Sequence, residues 1–455
     1  KESENFQVTY EPDFNFTNVG GYQSIKEELL QVSEILGNRE KYASYNIRMP
    51  KGVILEGPPG NGKTIIAKAL SGELSIPFIA CSGSEFQEKY VGVGASRIRE
   101  LFKLATESKP CIIFIDEIDA IARKRGGSGV EANNGDSERD NTLNELLTKL
   151  DGFKNTDEIF LICATNRIDL LDPAFLRPGR MDKKIYIGHP DPETRESIIN
   201  IHIKGKPRET KLSIPQLVEM TNGKSGAEIE NILNEAMLLV LRENRKIIKT
   251  EDINKIIHRE IGGYQTTQSK FSHKTIERIA AHELGHAVSG LLLTSHSKLT
   301  SVHINLWSPR NPGYTIFEVD EMDANIFTKE KLMSHLIVLL SGRITEDILF
   351  DGSITTGASR DFEEAHKLAQ RMVIEFGMGR QQIIPYLSDK SKEIIDEEVQ
   401  YILETALQRS RQIIFQSKTL IQELIPLLIH EKVLSRDFIE LKIYRKYKDL
   451  LNISF

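Results

Sequence analysis

Several things are scarce in this 455-residue chain. It has only three cysteines, Cys81, Cys111 and Cys163, widely spaced and with no C-x-x-C pair. That excludes a disulfide scaffold and a cysteine zinc knuckle, and suggests buried thiols of a reducing compartment. No apolar run reaches the about 18 residues that a membrane span needs. There is no excess of positive charge: the net charge is -6 and the pI about 6.1, so no general electrostatic case for nucleic acid exists. What remains is ordinary for a globular protein, 40% hydrophobic and 27% charged residues, with length for two or three domains. The first residue is Lys, so the sequence reads as a processed or truncated form, and whether an anchor preceded it is not written in these residues.

The most informative stretch is Gly57-Pro58-Pro59-Gly60-Asn61-Gly62-Lys63-Thr64. It fits G-x-x-x-x-G-K-[ST], a phosphate-binding loop. Glycines let successive N–H groups turn toward one phosphate chain. Lys63 adds positive charge, and the Thr64 hydroxyl can hold Mg²⁺. An apolar strand at 53–55 precedes it and a helix from Ile65 follows, whose N-terminus adds its dipole. A second strand is expected at 76–80. The apolar run from Cys111 to Ile115 ends in Asp116-Glu117, which a parallel strand would deliver beside the phosphates. Asp116 suits the Mg²⁺ shell and Glu117 suits polarising a water. A further buried strand, 159–164, ends at Thr165-Asn166, where Asn166 can orient that water. Asn166-Arg167-Ile168-Asp169 superficially matches a guanine motif, but Arg replaces its Lys and Asp116-Glu117-Ile118 stands where a GTPase has D-x-x-G, so guanine specificity is rejected. Arg177 and Arg180, three apart, suit fingers for transition-state charge, although spacing alone equally describes solvated arginines. Residues 125–140, rich in glycine, read as a flexible loop.

The second half carries His282-Glu283-Leu284-Gly285-His286 within a helical pattern over 275–293. Positions i and i+4 share a helix face, so both imidazoles can bind one Zn²⁺ while Glu283 serves as general base. Spacing leaves the third ligand open among Asp347, Asp361, Glu363 and His366. Asp361 also reads simply as a helix-start carboxylate. Beyond Gly379, residues 393–414 and 419–429 read as two amphipathic helices.

Together, Pro58-Pro59-Gly60, Asp116-Glu117, Ala164-Thr165-Asn166 and residues 176–182 resemble the AAA+ ATPases. The second half adds H-E-x-G-H, Ser341-Gly342-Arg343 and Thr355-Thr356-Gly357-Ala358-Ser359-x-Asp361. That whole, from about Phe16 to Gly379, is similar to the membrane-anchored FtsH-type ATP-dependent zinc metalloproteases. The resemblance implies an α/β ATPase subdomain with a parallel sheet (1–204), a small helical lid (205–261), and a mainly helical, M41-like zinc protease domain (262–455), with Gly262-Gly263 as linker. It implies ATP, Mg²⁺ and Zn²⁺ as cofactors. It places nucleotide at Val19, Gly20, Pro59, Gly60, Asn61, Gly62, Lys63, Thr64, Ile65, Asp116, His202, Gly226 and Ala227. It makes Asp361 the third zinc ligand, beside His282 and His286. It makes Arg177 and Arg180 act on a neighbouring subunit's ATP in a homo-hexamer, or a hetero-hexamer with a paralogue. Asp151-Gly152-Phe153 would signal between subunits. Tyr90, Val91 and Gly92 would form a pore loop gripping unfolded or membrane protein substrates. The full-length protein would be membrane-associated, with these domains, soluble in themselves, on the cytosolic, matrix or stromal side. Two other classes compete. An unfoldase with a silent protease domain would show a broken H-E-x-x-H, and here it is intact. A nucleic-acid remodelling ATPase would show basic loops, and Lys89 is the lone positive charge of the pore segment.

Overall fold

The computed structural model describes residues 6–10, 14–37, 50–87, 92–124, 134–152, 158–262, 271–306, 312–318, 326–381 and 389–452. It divides into two compact units, Lys1–Asn254 and Lys255–Phe455.

The first unit is built on a six-stranded sheet. Its strands are β1 (Val8–Thr9), β2 (Gly52–Glu56), β3 (Phe78–Ser82), β4 (Cys111–Asp116), β5 (Ile159–Thr165) and β6 (Lys183–Tyr186), in the order β1-β3-β4-β5-β2-β6. All pairings are parallel except β1 with β3. Parallel strands bury both faces, which explains the unbroken apolar runs of β4 and β5. The helices on the sheet are α1 (Gln23–Gly37), α2 (Lys63–Leu74), α3 (Val93–Glu107) and α4 (Asn134–Gly152). One core lies beneath α3 and α4, around Leu101, Leu146 and Phe175. The other lies beneath α1 and α2, around Leu29, Ile66 and Phe114. The three cysteines are buried free thiols on β3, β4 and β5.

Two expectations shift here. The second strand is β3, two residues later than 76–80, because Pro77 has no N–H for the ladder. The loop expected over 125–140 gives way to helix at Asn134; residues 125–133 lie outside the described residues. Helix α5 (Pro192–His202) follows β6, and the expected lid follows as α6 (Ile214–Met220), α7 (Gly226–Arg242) and α8 (Thr250–Gly262). Helix α7 begins at a capping box in which Ser225 and Glu228 satisfy each other's backbone N–H. Helix α8 crosses the division between the units and includes Gly262.

The second unit is mainly helical. Helices α9 (His273–Leu292), α10 (Lys329–Leu349), α11 (Ser359–Ile374) and α12 (Asp389–Glu431) share one core. A three-stranded antiparallel sheet joins them: β7 (Leu299–Ile304), β8 (Gly313–Phe317) and β9 (Val433–Ser435), in the order β8-β7-β9. Helix α13 (Arg436–Lys446) follows. The two helices expected beyond Gly379 are one, α12, 43 residues long with Pro426 inside it. No glycine or proline separates Ile414 from Thr419, so nothing in the chain breaks the helix there.

Candidate nucleotide and metal sites

Loop 57–62 leaves β2 and enters α2 in conformations that glycine allows. Gly60 and Gly62 have φ of 80° and 83°. A Cβ at Gly57 would sit 2.0 Å from the Ile187 carbonyl oxygen. Lys63, at the first position of α2, donates to the Gly57 and Pro58 carbonyls (2.8 and 2.9 Å) and to Asn166 Oδ1 (2.8 Å). Burial lowers its ammonium pKa, and the Asp116 charge offsets only part of that shift. The Thr64 hydroxyl donates to Asp116 Oδ2 at 2.8 Å, so the two groups expected around Mg²⁺ stand side by side. Glu117 takes a left-handed φ of 50° and turns its N–H back onto Asp116 Oδ1. Such strain in a non-glycine residue concentrates at active sites.

These groups open on one cavity of about 450 Å³. It is lined by every predicted nucleotide residue: Val19, Gly20, Pro59, Gly60, Asn61, Gly62, Lys63, Thr64, Ile65, Asp116, His202, Gly226 and Ala227, and also by Glu117 and Asn166. Asn18, Tyr22, Ile198 and Glu230 line it too and were not anticipated. The lid reaches the loop directly, because the Ala227 N–H donates to the Gly60 carbonyl at 3.0 Å. A cavity with glycine N–H groups, a buried lysine and a hydroxyl–carboxylate pair fits a nucleoside triphosphate with Mg²⁺.

Arg177 and Arg180 do not line this cavity. Arg177 is exposed. Arg180 makes a forked pair with Asp151 at the end of α4, 2.8 Å to each carboxylate oxygen, and that bond holds Asp151 below the usual carboxylate range. Tyr90 and Val91 lie outside the described residues, as does Phe153. Gly92 caps α3 with a φ of 90°.

The metal site rests on two helices that cross at glycines. A Cβ on Gly285 of α9 would meet Thr345 Oγ1 at 2.2 Å and the Ser341 carbonyl at 2.8 Å on α10. A Cβ on Gly342 of α10 would lie 2.5 Å from Nε2 of both His282 and His286. Small residues at both points let the helices approach and leave a hollow in front of the imidazoles. Around it His282 Nε2 and His286 Nε2 stand 3.1 Å apart. Asp361 Oδ2, from the first turn of α11, lies 3.2 Å from the first and 3.6 Å from the second.

The outer partners orient this set. His286 Nδ1–H donates to the Val338 carbonyl at 2.7 Å, which leaves its Nε2 lone pair facing inward. His282 Nδ1 bonds Glu346 Oε1 at 2.9 Å, and the Thr355 N–H donates to Glu346 Oε2 at 2.9 Å. Burial disfavours charge on His282, but Asp361 and Glu346 outweigh it and raise its pKa. Burial opposes the Asp361 charge as well, and the two imidazoles override it and hold its pKa far below normal. Two lone pairs and a carboxylate oxygen aimed at one hollow fit a divalent cation, and N,N,O donors suit zinc. Among the described residues, no other group of three or more His, Cys, Asp or Glu has this spacing.

Glu283 faces the same region, buried, with its pKa raised by that burial against the pull of His286 and His282. Two of the three rival third ligands are engaged elsewhere: Asp347 pairs with Arg411 and Glu363 with Lys367. Glu346 and Thr315 escaped the sequence reading. The one available signal for Glu346 was an acidic residue on the apolar face of a helix, five residues beyond Ser341.

Fold and sites together define a P-loop ATPase with a helical lid, joined to a helical metalloprotease-type unit. Comparison with known proteins agrees. Residues 53–189 match the ATPase family associated with various cellular activities (AAA), residues 211–255 the AAA+ lid domain, and residues 269–441 peptidase family M41. The ATP-dependent zinc metalloprotease FtsH 3 of Synechocystis sp. is 36% identical, over 96% of this chain and 74% of its own length. The ATP-dependent zinc metalloprotease FtsH of Bacillus subtilis is 39% identical, over 93% and 69%. The FtsH of Streptococcus pneumoniae is 41% identical, over 88% and 63%. The chain thus spans roughly two thirds to three quarters of these relatives. It belongs to the FtsH-type family of AAA+ ATP-dependent zinc metalloproteases, enzymes whose cofactors are ATP, Mg²⁺ and Zn²⁺.

Proposed function

We propose that this chain uses ATP hydrolysis to unfold and translocate protein substrates, which it cleaves at the His282–His286–Asp361 centre. The observation that carries this reading is the convergence of the two Nε2 atoms and Asp361 Oδ2 on one hollow, with buried Glu283 beside it. The working parts are residues 1–204 as ATPase, 205–261 as lid and 262–455 as protease.

In the ATPase, Lys63 and the glycine N–H groups bind the phosphates, while Thr64 and Asp116 hold Mg²⁺. Glu117 takes a proton from the attacking water, and Asn166 orients that water. Val19, Gly20 and His202 surround the adenine, and Gly226 and Ala227 couple the lid to the nucleotide. Arg177 and Arg180 serve the adjoining subunit of a hexamer. Tyr90, Val91 and Gly92 grip the substrate. In the protease, bound Zn²⁺ would supply Lewis acidity, polarising a peptide carbonyl and lowering the pKa of water. Glu283 accepts the proton of the attacking water on its carboxylate and then gives it to the leaving amine. Burial suits it to that second step, because a raised pKa makes it a usable acid. By family likeness, unfolded and membrane proteins are the substrates and the working enzyme sits at a membrane. No helix among the described residues is long and apolar enough to cross one.

The test is Glu283→Gln. It is expected to abolish peptide-bond cleavage, a loss of at least about 100-fold, while ATP hydrolysis continues. Loss of both activities together would contradict two separate sites.

A further inference from the structure

Glu283 must present one carboxylate oxygen to a water, yet its helix gives it no partner for the other. Strand β8 does. It is an edge strand of the small sheet and packs against α9 at this residue. The fit is close: a Cβ on Gly313 would lie 2.6 Å from Glu283 Cγ. Two residues on, on the same face of the strand, the Thr315 hydroxyl donates to Glu283 Oε2 at 2.9 Å. It also lies 3.1 Å from the Glu283 backbone oxygen, so it is seated against both ends of the residue. Among the described residues Oε2 has the Thr315 hydroxyl as partner and Oε1 accepts no hydrogen bond. The ladder fixes the position, because Thr315 pairs with buried Val302 of β7.

We propose that Thr315 is a positioning residue for the hydrolytic step, resting on the assignment of Glu283 as general base. Its hydroxyl pins Oε2, which leaves Oε1 as the atom that receives and returns the proton. The bond also fixes the carboxylate plane. A freely rotating carboxylate would spend most of its time misaligned, and misplacement on the ångström scale is costly in catalysis. Neither zinc ligation nor nucleotide binding involves this hydroxyl.

The experiment compares Thr315→Val, Thr315→Ser and Glu283→Gln in the full chain loaded with zinc. It follows cleavage of a short unstructured peptide, with zinc content and ATP hydrolysis measured alongside. Thr315→Val keeps the shape of the side chain and loses the hydroxyl. It is expected to lower kcat about tenfold, the worth of one hydrogen bond to a charged group. KM, zinc content and ATP hydrolysis stay near wild type, and Thr315→Ser restores kcat to within about threefold. Wild-type kcat in Thr315→Val overturns the inference. So does a Thr315→Ser enzyme as slow as Thr315→Val, which would mean packing, or zinc loss in Thr315→Val. If Glu283→Gln itself still cleaves, the general-base assignment falls and takes this inference with it. If Glu283→Gln is inactive while Thr315→Val is unimpaired, only the role of Thr315 falls.

Discussion

Glu346 serves two neighbours at once. One oxygen faces His282 Nδ1 and the other accepts the Thr355 N–H, just ahead of the turn that starts α11 and Asp361. It therefore ties a histidine ligand on α9 to the segment that supplies the carboxylate ligand. Glu346→Gln replaces one acceptor oxygen by an NH₂ group, which cannot serve both partners. Zinc affinity is expected to fall about 10- to 100-fold, the usual cost of losing such an outer partner. Competition against a fluorescent chelator measures it, and unchanged affinity would contradict the role. At this scale the sequence was legible wherever chemistry follows from local spacing. The phosphate loop and H-E-L-G-H needed only a helix or a turn to become a site. Glu346 lies 64 residues from its histidine and meets it only because Gly285 and Gly342 allow two helices to cross closely. No local pattern encodes that crossing.

Among the elements, the four inner strands of the large sheet and the helix of His282 and His286 were readable because long apolar runs and 3.6-residue periodicity are strong signals, whereas the short edge strands β1 and β6 were not. The small sheet was not. Its strands are three to six residues long, and β9 lies far along the chain from its partner β7. The loop between α9 and β7 carries a feature with a pH consequence. His296 Nδ1–H donates to the Ser297 carbonyl, and His296 Nε2 lies 3.3 Å from His335 Nδ1 on α10. Burial pushes the His296 pKa down to about 4, helped by His335 and Lys331 and opposed by the Ser297 carbonyl. In the unfolded chain histidine titrates near 6.5. Between about pH 6.5 and 4 the unfolded chain binds a proton that the fold refuses. This contribution to stability is therefore full above pH 6.5 and declines as pH falls through that window. In His296→Gln the melting temperature should fall less between pH 7 and pH 5 than in wild type. Parallel melting curves would contradict the account.

For the whole molecule, two unrelated chemistries occur in one chain, and their order was visible in the sequence. Arg180 is bound to Asp151 and, with Arg177, stands off the nucleotide cavity of its own subunit. If these arginines serve an adjoining subunit, Arg180→Ala should cut ATP turnover by about 10³-fold, the scale of a lost arginine finger. Nucleotide affinity should be retained. Wild-type turnover would remove the finger role.

Coupling is the central claim, and degradation of a loosely folded protein tests it most directly. The reaction would be run with ATP and Zn²⁺, then without ATP, and then with a zinc chelator. The account predicts cleavage only when both are present, with ATP hydrolysis surviving chelation. Cleavage of that protein at full rate without ATP, or ATP hydrolysis with no cleavage under any condition, would contradict it.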